Sequence, residues 1–140
     1  MKTSTIPIQA GKWFLIDAEG KSLGRISAQI SMLLQGKLSP SYAPHQLCPD
    51  QVIVINASKI KFHTTKEHRK TYVRHTGYLG HVKSISFGDL FAKDPVMVVE
   101  KAIKGMLADN KLRKEMLKHL HVYADNEHIY EAQKPINFPV

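Results

Sequence analysis

A single cysteine, Cys48, stands among 140 residues. No intrachain disulfide can form, which suits a reducing compartment. A structural zinc site takes four ligands, typically with paired cysteines, so His45 and Cys48 do not make one. No apolar run approaches the roughly 20 residues that span a bilayer. No signal-peptide core or Arg-rich transit segment follows Met1-Lys2-Thr3-Ser4-Thr5-Ile6-Pro7. The sequon Asn56-Ala57-Ser58 is therefore expected to stay unglycosylated. Acids are scarce, 12 against 20 Lys and Arg, and no carboxylate pair for acid–base work is evident. Gly-x-Ser-x-Gly, Walker-type and His-Glu-x-x-His patterns are missing, and Gly77-Tyr78-Leu79-Gly80 is too short for a dinucleotide fingerprint. A lone cysteine between loop prolines is expected to pack rather than attack. The sequence predicts no enzyme, no cofactor, no metal and no small-molecule substrate.

What remains is a basic chain of ordinary globular composition, 43% apolar and 23% charged. The formal net charge is +8 and the sequence pI is near 9.6. Such a balance points to a polyanion, most commonly nucleic acid and less commonly an anionic membrane surface. The length fits one domain with its own core. We read an N-terminal arm at 1–12, one α/β domain at 13–123 and a C-terminal tail at 124–140.

Trp13-Phe14-Leu15-Ile16-Asp17 reads as a buried strand. After the turn Ala18-Glu19-Gly20-Lys21, Ser22 is placed to cap a helix carrying Leu23, Ile26, Ile30, Leu33 and Leu34, which Gly36 ends. Prolines 40, 44 and 49 make residues 36–50 a loop. Gln51-Val52-Ile53-Val54-Ile55 is continuously apolar after Gln51, which predicts a strand covered on both faces, as in a parallel sheet reached by a right-handed crossover. Strands are suggested at Ile60–Thr64 and Thr71–Arg74, and a short helix at Ser86–Lys93. Asp94-Pro95 opens a longer helix whose buried face would hold Val99, Ala102, Ile103, Met106 and Leu107. Ala108-Asp109-Asn110 breaks it. Leu112, Met116, Leu117 and Leu120 suit a second basic helix, and Val122-Tyr123 a last strand.

Residues 59–83 are the unusual segment. Lys59, Lys61, Lys66, Arg69, Lys70, Arg74 and Lys83 face one acid, Glu67, with His63, His68, His75, His81, Tyr72 and Tyr78 interleaved. Cations neutralise phosphates, while Tyr and His stack on bases or bond to sugars. Gly77 and Gly80, beside Thr76 and Tyr78, let backbone approach a phosphate. As a merely solvated loop, seven cations against one anion would repel one another with nothing gained. Lys101, Lys104, Lys111, Arg113, Lys114 and Lys118 form a second basic group, partly offset by Glu100, Asp109 and Glu115. There a solvent-facing helix side explains the charges equally well.

An ordered set of motifs then resembles the bacterial-type family of large-subunit ribosomal protein L-thirteen. It runs through Trp13–Asp17, Gly20-Lys21-Ser22-Leu23-Gly24-Arg25, Gly36-Lys37, Tyr42-Ala43-Pro44-His45, Val52–Ala57, Lys70-Thr71-Tyr72 and His75-Thr76-Gly77-Tyr78. It continues through Lys101-Ala102-Ile103-Lys104-Gly105-Met106-Leu107, Val122-Tyr123, Glu127-His128 and Ala132-Gln133-Lys134-Pro135. The resemblance implies a three-layer α/β/α domain on a mainly parallel four-stranded sheet, with a basic extended loop and terminal arms that order on assembly. It implies large-subunit ribosomal RNA and neighbouring ribosomal proteins as partners, a role early in subunit assembly and a place in the cytoplasmic ribosome. Secondary binding to messenger RNA in translational regulation is a further expectation. The RNA-binding set is expected to be Arg25, Lys37, Tyr42, His45, Lys59, Lys66, His68, Arg69, Lys70, Tyr72, Arg74, His75, Thr76, Gly77, Tyr78, His81, Lys83, Lys101, Lys104, Arg113, Lys114, Lys118 and His128. The chain departs from the family pattern at Pro49, His63-Thr64-Thr65, Leu79-Gly80-His81, Ala108 and Arg113-Lys114, and the last change predicts a more continuous helix. Two rival readings are a nucleic-acid-binding regulator acting off the ribosome and a small hydrolase using Cys48 with a histidine.

Overall fold

The structure is a computed structural model that describes Pro7 and residues 10–139. Most of the expected N-terminal arm lies outside those residues. The chain order is β1 (Trp13–Asp17), α1 (Leu23–Leu34), β2 (Gln51–Ile55), a 3-10 turn (Ala57–Lys59), α2 (Thr64–Arg69), β3 (Thr71–His75) and β4 (Val82–Ser86). Then come α3 (Phe87–Lys93), α4 (Pro95–Met106), α5 (Leu112–Lys118), β5 (Leu120–Val122), a 3-10 turn (Glu131–Gln133) and β6 (Ile136–Asn137). Four strands make one sheet in the order β5-β2-β1-β6, every pair parallel. This is the expected α/β architecture, consistent with three α/β/α layers.

Parallel central strands must be covered on both faces, because their backbone polar groups are used up laterally and their side chains point both ways. Val52, Ile53, Val54 and Ile55 are accordingly all buried. Register puts Phe14, Ile16, Val52, Val54 and Leu120 on one face, where they join Ile26 and Ile30 of α1 and Val98, Val99 and Ile103 of α4 in a single core. Each such aliphatic side chain contributes about 1.5–3 kcal/mol on burial. The opposite face carries Trp13, Ile53 and His121. There Tyr130 packs at a tilt against both the indole and the imidazole, with centroids 4.8 and 4.5 Å away.

Local chemistry sets the element ends. Ser22 stands at the N-cap of α1 as anticipated, but its hydroxyl makes no capping bond. That end is tied by strand-like pairing instead: Leu23 N–H donates to the Lys61 carbonyl and Lys61 N–H to the Lys21 carbonyl. Gly36 follows α1 at φ +74°, and a Cβ there would meet the Cys48 side chain at 2.9 Å. Cys48 is therefore a packing residue, and burial pushes its thiol up to about 11. The Asp94 carboxylate caps α4 by accepting from Met97 N–H at 3.0 Å. Val99, Ile103 and Leu107 are buried as spacing suggested, Val98 joins them, Ala102 is half-buried and Met106 is exposed. Arg113 and Lys114 lie inside α5, which remains separate from α4.

Three segments differ from expectation. The strand suggested at Ile60–Thr64 is reduced to an isolated bridge between Lys61 and Ser22, and Thr64 instead starts α2, because His63 Nδ1 accepts from Thr65 N–H and opens a helical turn. The basic segment, expected as an extended loop, is that helix plus a β3–β4 hairpin. The C-terminal segment, expected as a tail, returns to the sheet: β6 pairs with β1, and Phe138 N–H donates to the Leu15 carbonyl. The sequon asparagine is buried at φ 58° and donates through Nδ2 to Asp17 at 2.8 Å.

Candidate nucleic-acid interface

The β3–β4 hairpin stands outside the main sheet as a separate two-stranded sheet. A lone hairpin is marginal in water, so its base needs an anchor. Phe87, fully buried, supplies it, with Phe62 edge-on at 4.8 Å, Phe91 at 6.1 Å and Tyr72 stacked at 6.3 Å. Phe87 N–H also donates to the Lys70 carbonyl at 2.8 Å. Glu67, the one acid of the segment, lies against Gly88, where a Cβ would meet its Cγ at 2.9 Å.

Tyr72 gathers cations from two distant parts of the chain. Lys101 Nζ of α4 lies 4.7 Å from its ring centroid and Lys70 Nζ 5.1 Å. The sequence reading expected both basic groups in one RNA-binding set, and tertiary packing brings Lys101 of one against Tyr72 of the other. The ring is half-buried, its hydroxyl is buried without a hydrogen bond, and burial pushes the phenol pKa up. Tyr72 thus acts as a platform beneath ammonium groups, although the sequence suggested a base-stacking residue.

Arg74 sits directly opposite Lys83 in the antiparallel register. Cβ atoms of such a pair are about 4.5–5.5 Å apart, and like charges there are destabilising. That separation is inside the roughly 8 Å screening length of physiological salt. Among the described residues the ion pairs are Lys59–Glu19, Arg113–Asp109 and Lys118–Glu115, and none involves the hairpin. Lys66, His68 and Arg69 are exposed on α2.

The tip is folded from its own backbone. Gly77 at φ +98° donates to His75 Nδ1 at 3.0 Å, and Thr76 donates to the His81 carbonyl from both N–H and hydroxyl. Tyr78 is 76% exposed, with His81 edge-on at 6.2 Å. His75 and Thr76 shape this loop, and Tyr78 is the ring free to stack.

The remaining expected residues are dispersed. Lys104, three positions from Lys101 on α4, is exposed on a neighbouring part of the same helix face. Lys59, Arg113 and Lys118 are held by carboxylates at 3.2, 2.7 and 2.8 Å. Arg25 and Lys114 are exposed on α1 and α5. Lys37, Tyr42 and His45 lie in the 36–50 loop, where Tyr42 borders a largely apolar cavity of about 390 Å³ with Phe14, Leu33, Cys48 and Phe138. His128 is half-buried beside the last segment, accepting from Tyr130 N–H through Nδ1. Reasoning from residue type missed the exposed apolar side chains of the hairpin, Val73, Leu79 and Val82. Period-two reading of 71–75 was the signal that could have found them.

An α/β domain with a projecting hairpin and clustered, unneutralised cations belongs to the class of basic binding scaffolds rather than of catalysts. The sequence profile described as Ribosomal protein L13 matches residues 11–129. The "Large ribosomal subunit protein uL13" of Macrococcus caseolyticus is 48% identical over 127 residues, 91% of this chain and 88% of its own length. The proteins of that name from Vesicomyosocius okutanii and Symbiobacterium thermophilum are 48% and 46% identical, each alignment spanning 87% of the relative. The chain belongs to the ribosomal protein L13 family, whose members are structural and not enzymatic.

Proposed function

We propose that the chain is a structural component of the large ribosomal subunit that holds large-subunit ribosomal RNA on its hairpin and α4 and supports early assembly. One observation carries this: Lys70, Arg74, Lys83 and Lys101 cluster about the Tyr72 face, and no carboxylate pairs with them among the described residues. Packed phosphates relieve such repulsion and release counterions. Arg and Lys would pair with phosphates, while Tyr78 and His81 at the tip would stack on bases or bond to sugars. The scaffold fixes RNA shape and performs no chemical step. A structured messenger RNA with similar phosphate spacing would suit the same surface.

A salt titration against large-subunit RNA tests the reading. Wild-type affinity should fall steeply as salt rises. Replacing Lys66, Arg69, Lys70 and Arg74 with Ala should flatten the log–log slope by roughly three, at 0.7–0.9 per phosphate contact. An unchanged slope removes the hairpin as the RNA surface. A protein missing from large-subunit fractions of a cell lysate removes the ribosomal role altogether and favours a regulator acting elsewhere.

A further inference from the structure

On the sheet face opposite α1 and α4, two histidines hold one tyrosine. Tyr130 N–H donates to His128 Nδ1 at 3.2 Å, and its hydroxyl faces His121 Nδ1 at 3.2 Å. His121 Nε2 faces the Gln51 amide oxygen at 3.1 Å, an acceptor, so that nitrogen carries the imidazole hydrogen. Nδ1 is left bare and takes the phenol hydrogen. Both bonds to Tyr130 thus require neutral imidazoles, because an imidazolium has a hydrogen on each nitrogen and accepts at neither. His119 is arranged the other way: its Nδ1 donates to the Cys48 carbonyl at 3.0 Å, a bond that survives protonation.

The surroundings of His121 do not suit a cation. β1 brings Trp13, stacked at 5.8 Å, β2 brings Gln51 and Ile53, and the last segment brings Tyr130. The charged neighbour is His119, two positions earlier, which opposes a second positive charge. Around His128 stands Tyr123, with centroids 6.4 Å apart. Asp125, Glu127 and Glu131 belong to the same segment, yet among the described residues no carboxylate lies within ion-pair distance of either imidazole. Burial, then His119, hold the closed His121 below the ordinary histidine range. Opening rehydrates this imidazole, so proton uptake favours the open form.

We infer that Tyr130 is the bolt of a proton-operated clasp: neutral His121 and His128 fasten residues 127–134 to the sheet, and their protonation releases that segment while the domain stays folded. The anchors on either side contain no titrating group. Ala57 and Ser58 N–H donate to the Tyr123 and Ala124 carbonyls, and Phe138 N–H donates to the Leu15 carbonyl. The segment opens as a loop tethered at both ends, and Trp13 loses its cover. The clasp is closed above about pH 6.5 and opens as pH falls through the lower value of the closed His121.

Hydrogen–deuterium exchange on the full chain at about pH 7.5 and about pH 5 tests this, read as protection factors so that the intrinsic pH dependence of exchange cancels. Protection of residues 127–134 should fall about fivefold for each bond lost, roughly 25-fold for two, while β1 and β2 keep theirs. Trp13 is the chain's single tryptophan, so its quenching by acrylamide should rise over the same range with helical circular dichroism unchanged. His121→Gln combined with His128→Gln should remove the pH response from both readouts. Should that variant fold poorly, Tyr130→Phe keeps the ring and removes only the hydroxyl bond, so its pH response should shrink to about fivefold. A full response in either variant, no response in wild type, or protection lost equally in β2 overturns the inference.

Discussion

In the parallel sheet Ile16, Val52, Ile53 and Val54 are fully buried, whereas in residues 71–86 every residue but Tyr72 and Ser86 is exposed. The sheet domain is held by apolar area, and three of its surface cations find carboxylates. The hairpin is held by a ladder of backbone bonds and one aromatic anchor, and it sets Arg74 against Lys83. One region is arranged for its own stability. The other accepts strain in the free protein that a polyanion would relieve.

Phe87 joins the two regions, so its removal should have the largest effect. Phe87→Ala should cost about 3–5 kcal/mol and lower the melting temperature by roughly 10–15 °C. Amide exchange should speed up in β3 and β4 as well as in α3. Faster exchange confined to the hairpin would mean that Phe87 is not shared between the regions. Asp94→Ala removes a helix cap inside the domain and should cost about 1 kcal/mol in denaturant unfolding. Its RNA salt slope should stay at the wild-type value, and a flattened slope would show that the regions are not separable.

A pH series should sharpen the domain side. Burial, reinforced by His119, holds the His121 imidazole below the ordinary histidine range. Its Nδ1 faces the Tyr130 hydroxyl at 3.2 Å and its Nε2 the Gln51 amide oxygen at 3.1 Å. The folded state therefore takes up this proton less readily than the unfolded chain. The stability it contributes is present above about pH 6.5 and is lost as pH falls through the lower folded value. Thermal melts from about pH 7.5 down to 5 should show the decline in wild type and a shallower one in His121→Gln. Equal declines would remove His121 as the source. Asp17, lowered chiefly by the Asn56 side chain, adds a loss of the same sign in the carboxylate range.

The smallest effect should also change sign between the regions. Arg74→Thr relieves the like-charge pair and should stabilise the free hairpin by a few tenths of a kcal/mol. It should nevertheless weaken RNA binding and reduce the salt slope by about 0.7–0.9. A variant that loses both stability and affinity would show that Arg74 supports the fold instead.

Much of the domain was legible because short-range rules and burial agree there. Leu23, Ile26, Ile30, Leu33 and Leu34 recur at helical spacing, and all five are buried. Val52–Ile55 can be continuously apolar only if both faces are covered. The hairpin was less legible. Residues 64–69 carry no apolar stripe, so only the His63 cap marks their helix. Tyr72 looked like a stacking residue because its type suits RNA, and nothing local shows Lys101 coming to rest on its ring. The tail hid β6 because two residues are too few for a periodic signal, and their pairing with β1 is fixed across more than 100 positions.

By itself the sequence determined the basic charge, the central strands, the Asp94 cap of α4 and, through its ordered motifs, the family. These depend on residue type and spacing along the chain. Only the tertiary structure decided which cations share a surface, that Glu19 neutralises Lys59, and that the C-terminal segment completes the sheet. It also decided that the hairpin presents one charged and one uncharged face, because cross-strand register sets which side chains stand together.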